Sequence, residues 1–410
     1  MVAKPSVWIC CQLGAREHYA IPRALHKAGQ LNHLITDAWV SPSSALSQLP
    51  RAFLASLRDR FHTDLAQASV HAFTGSLVRF EIAQRIQKSS GWQPIIARNY
   101  WFQRQAVQLL DNSITPRPNS RPTLFAYSYA ALELLRYAKT RGWRTILGQI
   151  DPGPVEEKLV LEEHTRHSTY QSNWQPAPPE YWFKWQEECS LADRIIVNSL
   201  WSSQALQQAG IPANKIDIIP LAYEPPEQAY SFVRTYPLAF SAERPLRVLF
   251  LGQVNLRKGI AALLEAVELL RDQLIEFWLV GSQDIAQPSQ DKHSRIRWIG
   301  SIPRSATAKY YQLADVFVFP TLSDGFGLTQ LEAHTWKLPI IASRYCGEVV
   351  QDRVNGLILR EVTGEAIAES LLFCLNNPQS LEAFARNTNI SCFGLSQLQH
   401  YLQTLPYAVV

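Results

Sequence analysis

Short apolar runs alternate with amphipathic stretches along this chain. Runs of about four to six residues rich in Val, Ile, Leu and Phe read as strands buried on both faces. Longer stretches with apolar residues every three or four positions read as helices. In the first half the pattern predicts strands at residues 7–11, 34–37, 94–97, 123–126, 145–149 and 194–198, with helices at 21–28, 130–140 and 202–208 between them. In the second half it predicts strands at 247–251, 276–280, 295–299, 316–319 and 339–342, and helices at 260–270, 307–313, 328–336 and 365–375. Strands that alternate with helices in this way make βαβ units around parallel sheets. Residues 221–245, LAYEPPEQAYSFVRTYPLAFSAERP, break the rhythm. They are rich in Pro and Tyr and lack a period, so they read as the connection between two doubly wound α/β domains. In open sheets of this kind ligands bind beyond the carboxyl ends of the strands. Two such domains facing each other make a cleft.

Composition narrows the class. The 410 residues suffice for two or three domains, and 47% apolar residues can fill their cores. No uncharged apolar run approaches the ~18 residues of a membrane span. The first residues, MVAKPSVWICCQLG, run straight into a strand and offer no small-residue cleavage site, so no signal peptide is expected. Six cysteines stand without a C-x-x-C pair or a zinc-type Cys/His cluster, which predicts reduced thiols in the cytoplasm. A net charge of +4, from 39 basic and 35 acidic residues, is too mild to predict a nucleic-acid partner.

The most informative segment is VFVFPTLSDGFGLTQLEAHTWKLPIIAS. A buried strand ends at Pro320, a glycine-containing loop follows, and a helix begins near Leu328. Gly325 and Gly327 let the backbone approach a ligand closely. The unpaired N–H groups at the helix start favour an anion. Asp324 before the helix and Glu332 a turn inside it are expected to line one pocket, where carboxylates accept hydrogen bonds from sugar hydroxyls. A loop with an N-cap acid and a solvated helix acid is the plainer alternative. In the segment RVLFLGQVNLRKGIAALLEAVELL, Arg257 and Lys258 precede Gly259 at another helix start, a placement that suits a diphosphate.

DGFGLTQLE followed by KLPIIAS resembles the donor-site motif of retaining GT-B glycosyltransferases, especially glycosyltransferase family 4. There two acids with seven residues between them flank a Gly-Phe-Gly-Leu turn, as Asp324 and Glu332 do. The resemblance implies an α/β GT-B fold: two Rossmann-like domains facing a central cleft. It implies an acceptor-binding domain over residues 1–225, a nucleotide-sugar domain over 245–390 and a last helix within 391–410 that returns to the first domain. Asp324 would approach the donor sugar and Glu332 the ribose. The backbone of Gly325, Phe326, Gly327 and Leu328 would meet the diphosphate or the sugar. The segment around Gly252 and Lys258 looks like the family's first strand and loop, where a Lys-Gly pair contacts the leaving diphosphate. The loop 300–303, with Ile302, would lie against the base. In the first domain the match is firm from about residue 190, and Gly14, Arg16 and His18 would face the cleft from the loop after the first strand, Arg16 and His18 on the acceptor side.

Three positions depart from the family pattern. Asp324 stands where Glu is usual, Gln253 where an Arg often follows the glycine, and Asp151 in GQIDPGP where many members carry a His. The implied reaction is retaining transfer of a hexose from a UDP-, GDP- or ADP-sugar to a lipid-linked glycan, glycolipid or small metabolite. Asp324, Lys258, Arg257 and Asp151 carry it, with no cofactor and no metal. No D-x-D triplet of the kind that holds a metal on the diphosphate occurs in the chain. A non-catalytic nucleotide-sugar-binding protein is the alternative, and a nucleotide-sugar epimerase of the same fold ranks below both. Residues 51–110 carry Arg51, Arg58, Arg60, Arg79, Arg85, Lys88, Arg98 and Arg104 against Asp59, Asp64 and Glu81, eight minus three or +5. With Trp92, Tyr100, Trp101 and Phe102 nearby, this stretch suits peripheral contact with anionic lipid on the inner membrane face. A solvated helical face over buried aromatics is the alternative preferred on composition.

Overall fold

A computed structural model describes residues 7–42, 57, 60–114, 121–170, 172–285 and 295–405. In the first domain the strands are β1 (Trp8–Gln12), β2 (Leu31–Thr36), β3 (Val70–Ala72), β4 (Thr123–Tyr127), β5 (Arg144–Gly148), β6 (Arg194–Val197) and β7 (Ile216–Ile218). Its helices are α1 (Ala20–Lys27), α2 (Thr74–Ile86), α3 (Gln93–Ser113), α4 (Leu132–Thr140), α5 (Pro154–Arg166), α6 (Pro179–Leu191) and α7 (Leu200–Gln208). The second domain holds β8 (Leu246–Leu251), β9 (Ile275–Val280), β10 (Ile296–Gly300), β11 (Val316–Phe319), β12 (Ile340–Ala342) and β13 (Gly356–Ile358). With them run α8 (Ile260–Leu269), α9 (Thr307–Leu313), α10 (Leu328–Thr335), α11 (Gly364–Asn376) and α12 (Pro378–Arg386), and the last described helix is α13 (Leu395–Thr404).

Both sheets are parallel throughout. The seven-stranded sheet runs β3-β2-β1-β4-β5-β6-β7 and the six-stranded sheet β10-β9-β8-β11-β12-β13. Each reverses its winding beside its first strand, between β1 and β4 and between β8 and β11. Crossovers leave such neighbours on opposite faces, and the gap opens a crevice at the strands' carboxyl ends. Central strands such as β1, β4 and β11 are buried at every position, as continuous apolar runs require.

Residues 94–97 are helical, which corrects the strand predicted there. Pro94 falls in the first turn of α3, where its missing N–H costs nothing, and Phe102, Ala106 and Leu110 repeat every fourth residue on its buried face. The short β-branched run Ile95–Ile96 carries no strand partner. Conversely, β3, β7 and β13 are three-residue edge strands, too short to show a period.

The connection is irregular apart from a single turn at Glu227–Ala229, but it is anchored. The Arg234 guanidinium is buried and donates to the carbonyls of Tyr311 (2.6 Å), Trp336 (2.9 and 3.1 Å) and Ala314. These carbonyls terminate α9 and α10, so one cation caps two helix C-termini. α13 packs against α1 of the first domain, and Leu395, Leu398 and Leu402 join that domain's core. Arg234→Met is expected to lower stability by about 3 kcal/mol, because it strands buried carbonyls and removes charged hydrogen bonds. Urea denaturation measures this, and a variant as stable as the parent would mean that the anchor contributes nothing.

Candidate functional site

The crevice of the second domain is built by two loops pressed together. After β8, Asn255 accepts a hydrogen bond from the Lys258 N–H (3.1 Å) and closes a turn over Leu256–Lys258. Gly259 then turns left-handed (φ 73°) into α8. A Cβ there would collide with the Pro320 carbonyl oxygen, so only glycine lets this turn rest on the end of β11. The Arg257 carbonyl accepts from Leu322 N (2.9 Å) and Thr321 Oγ1 (3.2 Å), which locks the two loops together.

This packing places Lys258 in an ion pair with Asp324, with the ammonium also 5.0 Å over the Phe319 ring. The Arg257 guanidinium donates to the Ser323 carbonyl (3.0 Å) and lies 3.7 Å from the Asp324 carboxylate. Burial alone would raise the Asp324 carboxyl, but Lys258 and Arg257 outweigh it and hold it below its usual range.

The first domain meets this cluster directly. A Cβ on Gly325 would strike the Ile150 carbonyl oxygen, so the glycine lets the turn after Asp324 lie against the end of β5. Just beyond, Asp151 accepts from the Tyr129 hydroxyl (2.5 Å), Gly153 N (2.9 Å) and Gln149 Nε2 (3.1 Å). Its burial raises the carboxyl, and the hydrogen bonds from Tyr129 and Gly153 together with Arg16 and Arg257 oppose the rise. Glu156, in the first turn of α5, lies 3.6 Å from Arg257. Burial pushes it up to about 7 against the pull of Arg257, and the nearby Asp151 and Asp324 add to the rise. Its Oε2 is buried without a hydrogen-bond partner among the described residues.

Glu332 stands in a second location. Its Oε2 accepts from the Tyr311 hydroxyl (2.8 Å), and Arg304 lies 3.7 Å from its Oε1. Burial raises this carboxyl; Tyr311 and Arg304 oppose it. Glu332, Leu328, Tyr311 and Arg304 line a cavity of about 580 Å³ closed on the other side by Glu17 and His18 of the first domain. That volume suits a small organic ligand. Asp324 is not among the described residues lining this cavity. Asp324 precedes the turn and Glu332 lies in the second turn of α10, so the Gly325–Leu328 segment separates them.

Gly252 directly follows β8, and the side chain of Phe326 is buried against Phe393. Ile302 packs on the core of the second domain, while Arg304 and Ser305 from the following turn face the cavity. In the first domain the Gly14 N–H donates to Asp37 (3.0 Å), and Arg16 lies over the Tyr127 ring at 5.8 Å. Glu17, His18 and Tyr19 all hold left-handed backbones (φ 51°, 50° and 58°). Three such non-glycine residues in a row store strain of about 1–3 kcal/mol each, a feature concentrated at ligand sites. Glu156, Tyr129, Tyr311 and Arg304 escaped the sequence reading. Glu156 had a signal, an acid in a helix's first turn five residues after Asp151, but nothing local says that α5 faces Arg257.

Two Rossmann-like sheets with facing carboxyl ends, and a cation–carboxylate cluster where they meet, define the GT-B class. Residues 245–377, roughly a third of the chain, match the family model of glycosyl transferases group 1. The resemblance to family 4 glycosyltransferases read from DGFGLTQLE is borne out. An amylovoran biosynthesis glycosyltransferase, AmsK of Erwinia amylovora, is 25% identical over 192 residues, covering 43% of this chain and 46% of its own. The chain spans between 12% and 64% of the length of the first curated relatives it matches. Among solved structures, sucrose-phosphate synthase from Thermosynechococcus elongatus superposes with a TM-score of 0.63 at 17% identity, covering 98% of both chains. HepE of Anabaena in complex with UDP gives 0.59 at 13% identity, covering 97% of this chain and 98% of its own. At these identities the structures show the shared fold.

The raised carboxyl of Glu156 has a stability consequence. The native state holds that proton more tightly than the unfolded chain, so its contribution is full below the ordinary carboxyl value of 4.5 and is lost as pH rises through about 7. Glu156→Gln is therefore expected to flatten the fall in stability between pH 5 and 8 by up to about 3 kcal/mol. Denaturation curves across that range compare the slopes, and identical slopes would show that Glu156 is ionised throughout.

Proposed function

We propose that this chain is a retaining, metal-independent hexosyltransferase that takes its sugar from a nucleotide-diphosphate donor. The observation that carries the reading is the meeting of Lys258, Arg257 and Asp324 at the crevice of the second domain, against the end of β5. Departure of a nucleoside diphosphate leaves negative charge, which Arg257, Lys258 and the start of α10 neutralise in place of a metal. Asp324 accepts hydrogen bonds from donor-sugar hydroxyls, and Glu332 accepts them from the ribose in the 580 Å³ cavity. The base extends toward the loop carrying Ile302, and the backbone of Gly252 and of Gly325 to Leu328 flanks the diphosphate. Asp151, oriented by Tyr129, faces the acceptor from the first domain, with Gly14, Arg16 and His18 on the neighbouring loop. Residues 1–225 then bind the acceptor, 245–390 bind the nucleotide sugar, and 391–410 return to the first domain. The acceptor is a lipid-linked glycan, a glycolipid or a small metabolite. Among UDP-, GDP- and ADP-sugars, the UDP in the HepE structure makes a UDP-sugar the first donor to try.

Glu332→Gln replaces one acceptor oxygen with a donor and is expected to weaken UDP binding by about tenfold to a hundredfold. Asp324→Asn releases Lys258 from its ion pair, so it is expected to bind UDP at least as tightly as the parent and to act on turnover. Calorimetric titration of UDP into both variants separates the roles, and a Glu332→Gln variant with parental affinity would remove the ribose assignment. Turnover should survive a chelator, and NMR should show the donor's anomeric configuration in the product. A metal requirement or an inverted product would overturn those parts. UDP binding without turnover against any acceptor would favour the non-catalytic alternative.

We infer in addition a cytoplasmic place of work on an anionic membrane face. Of the basic residues in 51–110, Arg51, Arg58 and the acid Asp59 lie outside the described residues. Arg60 and Arg98 are spent on the fully buried Asp37, at 3.0 and 2.9 Å. What supports the surface is α2, which exposes Val78 (42%), Ile82 (53%) and Ile86 (76%) on successive turns beside Arg79, Arg85 and Lys88. No helix among the described residues is long and apolar enough to cross a membrane. Flotation with phosphatidylglycerol vesicles should carry the protein, phosphatidylcholine vesicles should not, and Ile82→Glu with Ile86→Glu should abolish it. Equal behaviour of parent and variant would count against the surface.

A further inference from the structure

Two open cavities share a wall, one at the domain interface and the other within the first domain. One, of about 620 Å³, lies between α5 with residues 172–174 of the first domain and the loops holding Arg257 and Asp284 in the second. The other, of about 880 Å³, continues from Ser172, Asn173 and Trp174 to Trp92 and Pro176. Each volume alone falls in the ~300–1,000 Å³ range of small-molecule sites, so the two together exceed what one sugar ring needs. Arg257, at the wall of the first cavity, also reaches the Ser323 carbonyl and the Asp324 carboxylate, which connects the groove to the proposed transfer centre.

The lining is that of a site for hydroxyl-rich ligands. Trp174 is half-buried, and the His164 ring backs it at 4.8 Å and 8°, holding the indole flat. Trp92 is half-buried as well, fixed by a hydrogen bond from its Nε1 to the Gln175 carbonyl (3.0 Å) and by the Tyr181 ring at 4.9 Å. Asn173 lines both cavities, and Asn255, Gln283 and Asp284 stand in the one that holds Trp174. A pyranose presents apolar C–H faces and a rim of hydroxyls; indoles cover the former, and amides and a carboxylate pair with the latter. A lipid tail in the same place would desolvate the amides and Asp284 with nothing in return.

We propose that the two cavities form one groove that binds an oligosaccharide acceptor, its reacting end at Arg257 and its preceding sugars over Trp174 and Trp92. This rests on reading Asp324, Lys258 and Arg257 as the transfer centre, and it selects a glycan of more than one sugar among the acceptor classes. The test displays the fluorescently labelled full chain to an array of immobilised oligosaccharides of about two to six units, alongside calorimetry with UDP. Truncating a central aromatic contact typically loses about one decade of affinity. Trp174→Ala and Trp92→Ala are therefore each expected to lower glycan binding by about tenfold with UDP affinity unchanged, and Trp174→Phe to retain most of it. A parent protein that binds UDP but no glycan on the array overturns the groove, as does glycan binding that both alanine variants leave intact. Tryptophan-dependent glycan binding without UDP binding supports the groove and counts against the donor reading instead.

Discussion

The backbone of residues 257–259 rests on the backbone of residues 320–322, and the positions of the two cations follow from that contact. Gly259 has no side chain to hold the loops apart, and the Arg257 carbonyl is engaged by Thr321 and Leu322. With the loops joined, Lys258 and Arg257 have little freedom except to face Asp324. Ordering two long cationic side chains costs conformational entropy. Here the scaffold meets that cost before any ligand arrives, which is the condition for strong electrostatic stabilisation of a leaving anion.

The charges around these cations are nearly balanced. Asp324 is held ionised by them, whereas burial biases Glu156 and Asp151 toward their neutral forms. In the proposed reaction, an arriving diphosphate would compete with Asp324 for Lys258 and free the carboxylate for sugar hydroxyls. A carboxylate pair buried this deeply without the cations would be strongly destabilising. The acids and bases are thus mutually required, although they come from both domains.

That mutual requirement extends to the way the domains are tied. Trp201 donates to Ser323 Oγ (3.0 Å), Ser202 to the Gly325 carbonyl (3.3 Å), and Leu200 N–H to Glu348 (3.0 Å), all from the start of α7. Tyr223 N–H donates to the Phe393 carbonyl (2.8 Å), and α13 lies on α1. The linker is more than a tether, since Arg234 caps the helices that carry Tyr311 and Glu332. The cavity holding Glu332 is accordingly shaped by the second domain, the linker and the left-handed turn after β1 together.

Much of this was legible in the chain. Apolar runs of four to six residues located nearly all the central strands, and the linker showed in its Pro and Tyr content. DGFGLTQLE and RKG announced a turn, a helix start and paired charges, because turn chemistry and helix periods are set within a few residues of sequence. The segment 94–97 was misread for the same reason: a local β-branched run says nothing of the longer period that buries Phe102, Ala106 and Leu110. Glu156 against Arg257, Tyr311 on Glu332 and the Gly325–Ile150 approach join residues from 21 to 175 positions apart, 332 minus 311 and 325 minus 150. No local pattern encodes such pairs: the first and third exist only once the two sheets have packed with their carboxyl ends face to face, and the second only once α9 and α10 have packed within the second domain. The sequence by itself determined the two parallel sheets and the residue types at the switch point. The tertiary structure alone decided which carboxylates share a cation, because burial and distance, not spacing along the chain, set those interactions.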